Sequence, residues 1–126
     1  MISALFLRVG ILLLLVGMVA GISMGVAQDF RLAPAHAHLN LLGGVLLIVS
    51  GLYYQVFPDA ASRKLARVHA VLAIPGAILF PIGIAVVLLE GFEKYEIFPI
   101  AGSLIVLAGM LVFAWIIFTC QNAVRA

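Results

Sequence analysis

Hydrophobic residues in this chain run in long unbroken blocks. Leu5 to Val26, Pro34 to Phe57, Val68 to Leu89 and Ile97 to Cys120 are almost purely apolar, and every charged residue except Arg8 falls outside them. A helix rising ~1.5 Å per residue needs about 20 apolar residues to cross ~30 Å of hydrocarbon, and each block is long enough. The pattern predicts an all-α integral membrane four-helix bundle, a single domain over residues 1–126, with helices at 5–26, 34–57, 60–89 and 97–120. Pro34 suits the first turn of helix two, where no amide partner is lost. Pro58 closes that helix and Asp59 offers a cap, so helix three is expected to start near Ala60 with Ser62 to Arg67 at the headgroups. Pro75 and Pro81 should bend or loosen it and leave room beside it. The first block exceeds the 7 to 15 residues of a typical signal core, so it is read as helix one rather than as a leader cleaved after Gly25-Val26-Ala27.

Composition sharpens this reading. With 66% hydrophobic and 10% charged residues and a mean hydropathy of +1.31, a water-soluble globule is excluded. The net charge of +2 comes from scattered basic residues that form no patch for nucleic acid. The single cysteine, Cys120, allows no internal disulfide, and no Cys-x-x-Cys-His string is present for covalent haem attachment. Arg8, Arg63, Lys64, Arg67 and Arg125 fall on one side of the predicted membrane and Arg31 and Lys94 on the other; this five-to-two bias predicts cytoplasmic termini. Gly17, Gly21 and Gly25 form a strip of small residues on helix one, expected to admit a neighbouring backbone.

Candidate chemistry is concentrated in Arg31-Leu-Ala-Pro-Ala-His36-Ala-His38-Leu-Asn40-Leu-Leu-Gly43. Two imidazoles and a carboxamide in the first turns of an apolar membrane helix are costly and ask for a function. At ~100° per residue, His36 and His38 point to opposite sides and cannot grip one ion from a single helix. Asn40, four residues on, shares the His36 side and could orient that imidazole. Opposed ligands suit a ring of identical subunits, His36 of one copy and His38 of the next holding one metal between them. The remaining wall is apolar, which fits haem better than a bare ion, and two imidazoles are an established haem ligation. Arg31, with Lys94 and Tyr95 of the other outer loop, could meet the propionates.

The same stretch, together with Gly51-Leu-Tyr-Tyr-Gln-Val-Phe-Pro58, resembles the short four-helix relatives of the haem-copper oxidase catalytic subunit, which share a His-x-His-Leu-Asn-Leu-Leu-Gly run. In the large oxidase subunit, twelve helices form three similar four-helix arcs, with metal-binding histidines on the second helix of each. The resemblance implies a homo-oligomer with a trimer favoured, His36 and His38 as axial ligands of low-spin b-type haem shared between neighbours, electron transfer with a redox partner, and a bacterial or archaeal cytoplasmic membrane. The consecutive His-His pair and the His-Tyr arrangement that hold copper in the oxidases are absent, so oxygen reduction is not implied and no independent catalytic activity is expected.

Other readings stay open on the residues alone. The histidines could bind copper or another metal for transport, with Met24 as a soft partner at similar depth. Alternatively, the chain is a structural or assembly subunit of a respiratory complex, and the imidazoles are interface groups. His69 is expected ~14 Å above the start of helix three, at a depth unlike that of His38, as a hydrogen-bonded group near the cytoplasmic interface.

Overall fold

The computed structural model describes residues 1–124, with side chains through Cys120; Arg125, which entered the charge count, lies outside the described residues. Six helices appear in chain order: α1 (Ile2–Ala27), α2 (Ala33–Val56), α3 (Pro58–Ser62), α4 (Lys64–Glu90), α5 (Phe92–Tyr95) and α6 (Ile97–Val124). Helices α1, α2, α4 and α6 are each long and apolar enough to cross a membrane, and no strand occurs among the described residues. The chain is an integral membrane protein. Large apolar side chains such as Leu12, Val19, Ile22, Val71 and Trp115 are exposed along these helices, which in water would be prohibitive and in lipid is the solvated state.

Local chemistry explains most boundaries. α1 ends where Gln28 takes a left-handed conformation and its amide bonds to the Gly25 carbonyl. α2 starts with Pro34 in its first turn, as expected. Phe57 leaves the helix before Pro58, which opens α3 instead of merely closing α2. Helix three does not start near Ala60: Arg63 is extended, with ψ of 150°, and the spanning helix begins at Lys64. α4 then runs unbroken through Pro75 and Pro81. In the middle of α2, Leu39–Leu46 is wound as a π-helix, which sequence periodicity did not predict. The Gly43-Gly44 pair lies within it, and both glycines pack against α1 at Leu13 and Leu14.

The start of α1, the end of α6 and α3 lie at one end of the bundle, here called the terminal end; the opposite end carries the 28–32 connection and α5. At the terminal end all four spanning helices meet on aromatic rings. Phe6 of α1, Tyr54 of α2, His69 of α4 and Phe113 of α6 are all buried, with the rings of Tyr54 and His69 each in contact with the other three. Toward the opposite end the bundle opens into clefts.

Candidate functional site

The opposite end of α2 carries the polar stretch picked out in the sequence. His36 faces α1, where a β-carbon on Gly21 would lie 2.8 Å from its Cε1. Asn40 sits one turn along on the same face, its amide N–H donating to the imidazole 3.2 Å from Nε2, as the four-residue spacing anticipated. Gly17 of α1 lies directly over the Asn40 carboxamide, and its missing side chain is what makes room for that group. The glycine strip therefore differs from expectation. Gly17 and Gly21 receive polar side chains, Gly25 faces open space, and the close approach to the α2 backbone occurs at Gly10, against Ile48 N and Gly44 O.

His38 points elsewhere. Its Nδ1–H donates to the Pro34 carbonyl at 2.8 Å, and its ring meets the edge of Phe80 on α4 with centroids 4.9 Å apart. A neutral imidazole that donates at Nδ1 keeps its lone pair on Nε2. Helix geometry thus separates the two histidines as their spacing required, one toward α1 and one toward α4.

His36 also lines a nearly apolar groove of about 440 Å³ between α1, α2 and α4, shared with Ala20 and Met24 of α1, Leu39 of α2 and Ile78 and Pro81 of α4. The volume is within the roughly 300–1,000 Å³ range of ordinary ligand pockets. Met24, weighed in the sequence as a soft ligand, faces the same groove as His36. Asn40 does not line this groove; its Oδ1 is buried against Gly17 without a hydrogen-bond partner. An orphaned buried carbonyl costs about 1–3 kcal/mol.

Arg31 is engaged locally. It forms a two-pronged ion pair with Asp29, Nη2 to Oδ2 at 2.7 Å, and its guanidinium holds the exposed Asp29 carboxyl down at about 2. Lys94 lies over the ring of its neighbour Tyr95 at 5.2 Å.

His69 belongs to a different place. Starting from Lys64, it stands only about 7.5 Å into α4 rather than ~14 Å. Its imidazole is stacked between Phe6 and Phe113, at 4.9 and 4.6 Å, and Nδ1 is 2.9 Å from the Tyr54 hydroxyl. The expected hydrogen-bonded role has a specific partner that sequence reasoning missed; the only hint was the Tyr53-Tyr54 pair late in α2.

Among the described residues, no three His, Cys, Asp or Glu side chains converge as a metal site. Within one chain the arrangement offers single imidazoles on separate surfaces. By its fold, the protein is a four-helix membrane-spanning protein with a histidine-bearing cleft toward one end. No family model, curated protein or solved structure matches the chain.

Proposed function

We propose that this protein binds b-type haem in the membrane and transfers electrons, and that His36 and His38 are the residues that would hold it, each toward a separate haem. An adjoining copy would complete each site, in a ring for which three subunits are favoured. The observation that carries this reading is His38: an imidazole in the outer turns of a membrane helix, its Nδ1–H committed to a backbone carbonyl and its Nε2 lone pair unused. Ligating histidines characteristically have their second ring nitrogen fixed in this way. When bound, haem supplies one-electron redox chemistry.

The chain's own groups have distinct tasks in this reading. The Pro34 carbonyl fixes the tautomer of His38, and the Phe80 edge limits its rotation. Turning the Asn40 carboxamide end for end brings its orphaned Oδ1 to the His36 imidazole, where it accepts the N–H and leaves the other ring nitrogen with the lone pair. The apolar groove excludes water around His36. Arg31 and Lys94, both at this end, are the basic groups available to propionates, Arg31 by partial release of Asp29. The basic bias of the terminal end supports a cytoplasmic placement for it in this reading.

The optical spectrum of the purified oxidised and reduced protein tests the proposal. A Soret band with sharpened visible bands on reduction is expected, and single His36→Ala and His38→Ala variants should each lose the low-spin form. Colourless protein from haem-replete cells would overturn it, as would low-spin spectra retained in both variants.

A second reading is favoured by one observation. His36 and Asn40 fill the notches over Gly21 and Gly17, which is how polar side chains serve as helix-packing elements in a structural subunit. Under that reading, His36→Ala weakens the α1–α2 contact and the protein has no visible spectrum in any form.

A further inference from the structure

The two ends of the molecule differ sharply in charge. The opposite end holds Asp29, Glu90, Glu93 and Glu96 against Arg31 and Lys94, and its Arg31 is neutralised by Asp29. The terminal end holds Arg8, Arg63, Lys64 and Arg67 against Asp59 alone. Among the described residues, none of these four basic side chains makes an ion pair; Arg31–Asp29 is the sole pair. Arg8, Arg63, Lys64 and Arg67 are all exposed. An orientation signal requires the charges but not a recess beside them.

The terminal end nevertheless has a recess. The chain leaves α2 at Phe57, turns through the five residues of α3 and re-enters the membrane after the extended Arg63. Between this turn and the start of α1 lies a pocket of about 330 Å³, its polar lining supplied by Ser3, Tyr54, Gln55 and Ser62 and the rest by apolar residues that include Met1 and Ile2. It is the one with a substantial polar lining among the four described; the other three are almost wholly apolar. The Tyr54 hydroxyl is taken by His69 and the Ser62 hydroxyl by the Asp59 carbonyl. The Ser3 hydroxyl and the Gln55 carboxamide are the donors left to suit phosphate oxygens, and Arg63 follows Ser62 directly in the chain.

We propose that this pocket is a binding site for the phosphodiester headgroup of an anionic glycerophospholipid in the adjoining leaflet. Two features commit it to lipid rather than to free phosphate. The pocket is at the level where the spanning helices end, and one turn or less inside it Leu52 of α2 and Leu5 of α1 are exposed, at 51% and 46%, as a surface for acyl chains. The uncompensated basic side chains complement the headgroup charge. The site is independent of any haem, since its residues are at the other end of the bundle from His36 and His38.

Native mass spectrometry of the full-length protein, released from vesicles of phosphatidylcholine mixed with phosphatidylglycerol, tests the site. Phosphatidylglycerol adducts should dominate. Each basic residue near the surface is worth ~1 kcal/mol toward anionic lipid, so Arg63→Gln should lower the preference by about fivefold. The charge-neutral Ser3→Ala/Gln55→Ala double variant should lower it as well. Equal retention of both lipids would overturn the proposal. So would a preference that persists in the double variant and falls only in Arg63→Gln, because that outcome describes diffuse attraction without a pocket. Inorganic phosphate that displaces phosphatidylglycerol at matching concentration would make this a free-anion site and also overturn it. The three substituted positions, Ser3, Gln55 and Arg63, are exposed or partly so, and unchanged helical circular dichroism verifies the fold.

Discussion

At the scale of single residues, the decisive facts are hydrogen bonds that spacing could suggest only in part. The His36–Asn40 contact follows from a four-residue interval on a helix, and the structure contains it. The bond from His38 to the Pro34 carbonyl follows the same interval, yet nothing in the sequence separates a histidine that reaches back to its own helix from one that points away. His69 was legible as a polar group needing a partner; that the partner is Tyr54, with Phe6 and Phe113 on the two ring faces, depends on four helices converging. Tyr54→Phe would strand the imidazole nitrogen and should cost about 1–3 kcal/mol in a denaturant titration in micelles. Replacing both members, Tyr54→Phe with His69→Phe, should recover most of that loss, because no polar group is then left unpaired. Neither change is expected to alter a haem spectrum, since the pair lies at the opposite end from His36 and His38. An altered spectrum would place His69 in the cofactor site.

At the scale of helices, apolar block length gave the four spans closely, and charged or proline-containing connections marked their limits. The start of the third span is the clearest miss. Pro58 and Asp59 are good helix-initiating residues and do initiate a helix, but it is the five-residue α3, and the spanning helix begins five or so residues later at Lys64. Local capping preferences cannot decide which of two successive starts leads into the membrane. The π-segment of α2 was equally invisible, because it changes hydrogen-bond register without changing hydrophobicity. Along α1, three glycines at equal spacing looked equivalent and are not. Gly17→Ala and Gly21→Ala place a methyl group against Asn40 and His36 and should displace those side chains, lowering thermal stability and, if the proposed haem is bound, its retention as well. Gly25→Ala meets open space and should be neutral or slightly stabilising through improved helix propensity. Equal effects of all three on melting temperature and absorbance would show that the strip acts only on the helix itself.

At the scale of the whole molecule, the bundle is closed at the terminal end by aromatic rings and open at the other by clefts beside α4. A single chain places the His36 and His38 imidazoles on different surfaces, so one chain alone does not surround a metal with both. If adjoining copies supply the missing ligands, the native mass in mild detergent should correspond to a closed ring, with three subunits favoured, and dissociation should abolish the low-spin spectrum. A stable monomer that retains the full spectrum would refute shared ligation.

The sequence by itself determined that this chain spans a membrane four times and that its unusual polar groups cluster near the start of the second span. Both are consequences of transfer free energy, which depends on residue type and run length. Only the tertiary structure decided which groups those polar side chains meet. Gly17 and Gly21 are cradles for Asn40 and His36, Tyr54 completes His69, and the α3 turn encloses a polar pocket, because contacts between helices depend on rotation and register that the uniform apolarity of membrane spans leaves unencoded.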